Sequence, residues 1–524
     1  MASTKPTVSI NGGTIIGRHQ PASADYGRAM DVFYDIPYGQ AAARFQRATS
    51  FPPVSPGQTM RAEEDRGPGQ PQILQDYDCD DRREGELRLH VFRACRCSSS
   101  SSSASCDSPL PVVVYVHGGA FNFGSPHQDR DLVAWASWSD KPIVVFALEY
   151  RLGVLGFGGA GGTENIGLWD QRLAMEWVRD WGASFGGRVG GDVTLMGFSA
   201  GAHSIGHHLL SPIPLPLPIS KAILESGGPT ARSVLSPKHE RPIRHLASLR
   251  RYASGKKLDS IPLPDLLSAA SSVWADEEKG LTWPFQPVVD VDAGPQSLIP
   301  DLPLRLLSNL GADGKGKANH EKKLSLLTGF CSNEASSFIS SQADLASFFR
   351  QLVPKLNLDE LQGLYPDTLP LRAQRAYADY AYVAPVLQMA DALSKTGSRV
   401  LVYEYGATPS SHGDHVPISS RDPLFIRRKP GLRAVADAMV SRWTAFASDD
   451  GDSLVEGADD DQVGWPVFDI DSNPRILVFG AGNDEADGGL RHVIPVAVRE
   501  FTASEIGRFR FWWRNVHLGQ GMAC

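Results

Sequence analysis

The chain is 524 residues long, with 42% hydrophobic residues, 21% charged residues and a formal net charge of −8. This is the composition of a soluble globular protein, with enough chain to bury a large core without disulfide support. The acidic balance gives no electrostatic case for nucleic acid or an anionic membrane as a partner, and no apolar run approaches bilayer-spanning length.

The first thirty residues contain no apolar signal-peptide core, only the brief run Gly13–Gly17, so the expected location is cytoplasmic. Strands are predicted at Val8–Ile10, Thr14–Ile16 and Val32–Tyr38, before Pro-, Gly- and acid-rich sequence that continues to Gln75. Leu87–Phe92 alternates apolar and polar residues and is predicted as a strand, whereas Pro111–Val116 reads as a continuous apolar strand. Between them, residues 98–105 are almost pure serine, which predicts a mobile loop.

Ile143–Leu148 reads as another buried strand, and Asn165–Ser184 carries Leu168, Leu173, Trp177 and Val178 on a helical face. Further strands are predicted at Asp192–Met196, Lys221–Leu224, Leu324–Thr328, Val400–Glu404 and Arg475–Phe479, with mainly helical sequence over residues 231–280 and 340–395. Strands alternating with helices predict an α/β fold around a twisted, mostly parallel central sheet. With no internal repeat and no evident linker, residues 1–524 are expected to form a single domain with large helical insertions.

Six cysteines are present: Cys79, Cys95, Cys97, Cys106, Cys331 and Cys524. Cys95 and Cys97 are too closely spaced for the usual zinc pair and have no matching histidine pair nearby. Free thiols are expected, with no metal and no cofactor. The basic clusters Arg427–Lys429 and Arg508–Arg510 are short and read as solvated or locally paired.

Gly197, Ser199 and Gly201 form a G-x-S-x-G sequence between the predicted strand ending at Met196 and residues of helical spacing that reach Leu210. Strand, tight turn and helix make a nucleophile elbow, in which the glycines permit the turn and a close approach of helix to strand. A serine hydroxyl needs a base, a group to orient that base, and donors for the oxyanion. Val116 is followed by His117, Gly118, Gly119, Ala120 and Phe121, a glycine-rich turn directly after a strand. The amides of Gly118 and Gly119, with that of Ala200, are candidate oxyanion donors.

Other stretches extend the pattern: Glu149–Phe157, Asn165–Gln171, Phe185–Gly187, Glu225–Gly228, Pro287–Asp290, Trp443–Phe446 and Trp465–Pro466. In this order, over nearly the whole chain, they resemble the type-B carboxylesterases, the cholinesterase and lipase-like branch of the α/β-hydrolases. The resemblance implies Glu334 as the acid and His412 as the base of a triad with Ser199, and Ser226 as a support beside it. His415 is the rival base, close enough for a one-turn shift to exchange the two. His117, His203, His207 and His208 are expected in packing or hydrogen-bonding roles. Phe121, Phe123, Phe198, Trp283 and Phe285 are candidate apolar pocket walls.

The chain departs from this family at several positions. Phe198 precedes the nucleophile where an acid is usual, and Gln70 and Glu86 stand where many relatives have a disulfide pair. Glu149 replaces an asparagine and Arg188 an acid, a candidate rearranged ion pair. The reading is a serine carboxylic-ester hydrolase that attacks an apolar ester or lactone through an acyl-enzyme, with a small-molecule ester as its partner. A catalytically silent recognition module, or an acyltransferase or lactone-forming enzyme using the same triad, are the alternatives. Neither nucleic acid nor membrane is an expected partner, and the sequence leaves the oligomeric state open.

Overall fold

The computed structural model describes residues 5–65, 69–73, 84–95, 108–128, 130–159, 163–231, 234–277, 283–290, 294–310, 324–448, 452–455, 463–491 and 494–519. The serine-rich stretch 98–105 and Cys79, Cys97, Cys106 and Cys524 lie outside them. A twelve-stranded sheet runs through the centre. Seven neighbouring strands are parallel: Arg475–Phe479, Val400–Tyr405, Ser325–Cys331, Ile219–Glu225, Val193–Phe198, Val112–Val116 and Val144–Leu148. Antiparallel strands complete both flanks, with Val496–Glu500 at one edge and Glu86–Ala94, Met30–Ala41 and Arg18–Gln20 towards the other. A small separate sheet joins Thr7–Ile10, Gly13–Ile16 and Thr59–Arg61.

The parallel strands are largely apolar because both faces are covered. Val112–Val116, Val144–Leu148 and Val193–Phe198 are buried at every residue. One face packs under helices Ile166–Trp181 and Ala200–Leu210 in the larger core cluster. The other packs on helix Pro430–Ser448, where Trp443 meets Trp465, Tyr403 and Phe479. A third cluster holds the helical insertion that starts near Ala335 against the C-terminal helix Ala503–Gly519, through Phe349, Tyr377 and Trp512.

Buried charges brace this framework. The Arg151 guanidinium makes two bonds to Asp170, at 2.7 and 2.6 Å, tying the end of Val144–Leu148 to the helix beside it. Arg130 and Glu225 form a fully buried pair. Burial alone would lower the Arg130 guanidinium, but the adjacent Glu225 lifts it above its ordinary value. Glu225 also accepts the indole N–H of Trp443 at 2.8 Å, and Arg130 reaches Ser419 Oγ at 3.1 Å.

The candidate ion pair between Glu149 and Arg188 does not form. Glu149 instead accepts a hydrogen bond from Gln70 Nε2 at 3.0 Å, while Arg188 makes no ion pair among the described residues. The same Gln70 amide donates to the carbonyl of Glu86 at 2.8 Å. The two positions that carry a disulfide in many relatives are thus joined here by a hydrogen bond. Cys95 and Cys331 are free thiols.

Removing one partner of a buried pair leaves an uncompensated charge in a dry interior. Arg130→Met is therefore expected to lower the unfolding free energy by about 3–5 kcal/mol in urea titration. A loss under about 1 kcal/mol would show that the pair does not brace the sheet.

Candidate active site

Ser199 follows strand Val193–Phe198 and opens helix Ala200–Leu210. Its backbone is at φ 52°, ψ −119°, a conformation that a non-glycine residue holds only when its surroundings enforce it. The glycines on either side account for the enforcement. A Cβ on Gly201 would stand 2.0 Å from the Val116 carbonyl oxygen, and one on Gly197 would stand 2.6 Å from the Gly201 carbonyl carbon. Only hydrogen fits at either place, so helix and strand meet backbone to backbone.

Parallel strands end on the same edge, and that edge collects the remaining parts. Ser226 follows Ile219–Glu225, Glu334 follows Ser325–Cys331, and His412 follows Val400–Tyr405. His412 Nε2 lies 2.9 Å from Ser199 Oγ, and its Nδ1 lies 2.5 Å from Glu334 Oε2. A carboxylate only accepts, so Nδ1 carries the proton and Nε2 is left free to accept from the serine. Glu334 is fully buried; its Oε1 accepts from Ser226 Oγ at 2.6 Å and from the Cys331 amide at 2.8 Å. The His412 ring is packed by Tyr382, Phe198 and Phe338, at centroid distances of 4.4, 4.9 and 5.8 Å.

His415 lies behind Phe198, with the two rings 5.6 Å apart, and is completely buried. Its Nδ1 is 3.1 Å from Cys331 Sγ and its Nε2 is 3.8 Å from Glu225 Oε1. Burial, reinforced by the charges of Arg130 and His412, holds its pKa well below the ordinary histidine value. Burial and the nearby Glu334 carboxylate hold the Cys331 thiol well above its own. A neutral thiol therefore donates to a neutral imidazole, and this pair fastens the His412 loop to the strand that precedes Glu334.

Two cavities meet at Ser199. A chamber of about 250 Å³ is lined by Ala120, Phe121, Phe157, Ala200, Trp283 and Phe285, among others. A wider mouth of about 1210 Å³ includes Gly119, Ala120, Phe123, Phe198, Trp283 and His412. The predicted aromatic walls thus divide between the two, and Trp283 borders both. Gly118 lines neither cavity: its position is packed against the Phe198 carbonyl, where an added Cβ would stand 2.9 Å from the oxygen. Ala120, which the sequence reading did not single out, borders both, at φ 52°. Its carbonyl accepts from Asn122 Nδ2 and Gln286 Nε2, both at 2.8 Å, and these two amides fix the turn of the glycine-rich loop. Its place after two glycines was the available signal. Tyr382 had none, because its sequence neighbourhood reads only as helical insertion, and Phe338 lies just ahead of that stretch with no motif around it.

The other histidines have local partners or packing. His117 Nδ1 is 2.8 Å from the Gly118 carbonyl, and the His117 carbonyl accepts from Tyr150 Oη at 2.9 Å. His208 Nε2 is 2.9 Å from Gln171 Oε1, and His203 stands on the chamber wall. Away from the serine, two groups gather metal-type side chains: His19, Asp31 and Cys95, and the buried Asp35, His90 and Glu149. In the second, His90 Nδ1 accepts the Asp35 amide at 3.1 Å, so Nε2 carries a proton and is a poor ligand. In the first, Arg93 already engages the Asp31 carboxylate at 3.0 and 3.1 Å.

A mostly parallel sheet whose carboxyl edge presents a serine elbow, an acid loop and a histidine loop in that chain order defines an α/β-hydrolase. A family model described as the carboxylesterase family matches residues 4–492, and the chain belongs to that family. Acetylcholinesterase of Bungarus fasciatus is 29% identical over 391 residues, covering 64% of this chain and 61% of that protein. Cocaine esterase of Oryctolagus cuniculus is 29% identical over 434 residues, covering 75% and 77% respectively. The solved structure of a PNB esterase shares the fold, with a TM-score of 0.71 at 23% identity over 97% of this chain and 100% of the other. Among the described residues no helix is long and apolar enough to cross a membrane.

Burial lowers the pKa of His117 to about 4 and of His207 to about 3, from an ordinary 6.5. A group with a depressed folded pKa binds protons more readily when unfolded, so its contribution is complete above pH 6.5 and shrinks as the pH falls towards the folded values. One pH unit below 6.5, each of these histidines is expected to cost about 1 kcal/mol of stability. The urea midpoint should fall between pH 7 and 5, with a shallower fall in His207→Leu; an identical slope in that variant would contradict the assignment.

Proposed function

We propose that the protein is a serine carboxylic-ester hydrolase that works through an acyl-enzyme, its 524 residues acting as one catalytic domain. The observation that carries this reading is the unbroken contact from Ser199 Oγ through His412 to Glu334, at 2.9 and 2.5 Å. In the proposed cycle His412 Nε2 takes the serine proton as Oγ attacks the ester carbonyl, then returns it to the departing alcohol. Glu334 keeps the imidazole in the required tautomer and offsets its charge, while Ser226 and the Cys331 amide hold Glu334. The negative oxygen would be met by the amides of Gly119, Ala120 and Ala200, which border the cavities at Ser199, and not by that of Gly118, whose position lines neither. Water activated by His412 then releases the acid.

The substrate proposed is a neutral, apolar ester. The chamber beside Ser199 has walls of Phe121, Phe157, Leu235, Leu246, Phe285 and Val288. Its volume of about 250 Å³ suits a short to medium acyl chain. Phe198, in place of an acid beside the nucleophile, supports the preference for uncharged groups. The reading extends to a reducing, cytoplasmic setting, supported by the hydrogen-bonded Gln70 at a position where many relatives are crosslinked.

Ser199→Ala is expected to lower kcat for p-nitrophenyl butyrate by at least about a thousandfold without loss of folding, and to abolish labelling by a fluorophosphonate probe. Equal turnover in the two proteins would reject the mechanism. Leu235→Trp, which fills the chamber, should depress kcat/KM for p-nitrophenyl hexanoate relative to acetate by about tenfold or more. An unchanged ratio would mean that the acyl chain lies elsewhere.

A further inference from the structure

The wide cavity that begins at Ser199 ends at a rim that includes Phe425, Lys429 and Asp487. The rim element Pro423–Ile426 is a single turn of helix, capped by the Asp422 carboxylate, which accepts from the Leu424 amide at 2.8 Å. Ile426 anchors it in the core beneath helix Pro430–Ser448. That anchorage turns its neighbours outward: Leu424 is 78% exposed and Phe425 48%. Leu490, 85% exposed, stands three residues beyond Asp487. The two stretches are joined, because the Glu485 carboxylate accepts the amides of Gly431 and Leu432. Leu424 and Phe425 are adjacent on one turn and Phe425 lines the cavity, so this is an exposed apolar pair at the cavity wall and not a single side chain.

The charge beside them narrows what could cover the rim. Arg427 pairs with Asp25 at 3.2 Å, and Arg421 with Asp437. Arg428, Lys429 and Arg433 make no ion pair among the described residues, so within the cluster Arg427–Lys429 only Arg427 is locally paired, and this rim runs against the acidic whole-chain balance that argues against an anionic membrane. The acids that line the same cavity are Asp131, Asp414, Asp422 and Asp487, of which the first three each accept a backbone amide. Protruding apolar side chains next to unpaired cations match a surface that is apolar within and anionic at its boundary. A second copy of the chain fits less well, since a two-fold contact through this patch would set these cations against themselves.

We propose that this rim docks the protein on an anionic lipid surface, with the cavity mouth facing the lipid. Leu424, Phe425 and Leu490 enter the interfacial layer while Arg428, Lys429 and Arg433 meet anionic headgroups. An ester dissolved in the lipid phase then passes along the cavity to Ser199 without crossing bulk water. The use of the docked state rests on the esterase reading; the docking itself does not involve Ser199.

The test is flotation of the full chain with vesicles of equimolar phosphatidylcholine and phosphatidylglycerol, against phosphatidylcholine alone. The wild type is expected to float with the anionic vesicles and to be released by about 0.5 M salt, where the Debye length shrinks to a few ångström. The double variant Leu424→Asp, Arg428→Glu touches neither cavity wall. It is expected to lose vesicle binding by about tenfold or more while keeping hydrolysis of dissolved p-nitrophenyl acetate, which also reports that it is folded. Ser199→Ala should float like the wild type, so failure of the esterase reading leaves this result intact and distinguishable. A wild type that ignores anionic vesicles, or a double variant that binds them equally, overturns the proposal. A concentration-dependent dimer in sedimentation that the double variant dissolves also overturns it and assigns the rim to a second copy.

Discussion

The carbonyl oxygen of Val116 occupies the space that a side chain on residue 201 would need, 2.0 Å from where its first carbon would stand. Helix Ala200–Leu210 can therefore lie directly on strand Val112–Val116 only because residue 201 is glycine. The strand runs on into the glycine-rich loop, where a Cβ on Gly118 would stand 3.3 Å from that of Ser199. One close approach thus sets the nucleophile beside the loop proposed to receive the oxyanion. It also holds Ser199 at its unfavourable φ and ψ, since relaxing the serine would drive the helix into the strand.

The acid and base arrive by a different constraint. Residues in parallel strands share a register: Gly197 lies opposite Val116 and Leu224, while Glu225 lies opposite Gly329. Loops leaving that edge must converge, but convergence alone would not select His412 over His415. Phe198 makes the selection by filling the space between the two rings, and the Cys331 thiol and Glu225 hold His415 on the buried side. The residue that departs from the family pattern before the nucleophile is therefore the one that separates the two histidines.

The parallel strands were legible because burial on both faces leaves an apolar run that survives any local context. The edge strand Val496–Glu500 was not, since its pattern is mostly exposed and it pairs on one side with Arg475–Phe479. Helix Ala503–Gly519 also went unread: it interleaves apolar and basic residues, and its buried face exists only once the insertion packs against it. Ser199 and the glycines announce themselves through spacing. Glu334 is one of 59 acidic residues, and nothing local marks it; its meaning comes from Ser226, 108 positions earlier, and from His412, 78 positions later. Resemblance supplied what spacing could not. The aromatic packing around His412 was hidden for the same reason, because Tyr382 and Phe338 belong to a segment whose place is set only by the assembled fold.

The link from the Gln70 amide to the carbonyl of Glu86 has a practical meaning. A covalent bridge forms only with an oxidant and is lost to thiols, whereas this tie forms wherever the two segments meet. The tie between these two positions is accordingly independent of redox conditions. What is given up is permanence: a hydrogen bond breaks and re-forms without a chemical reaction.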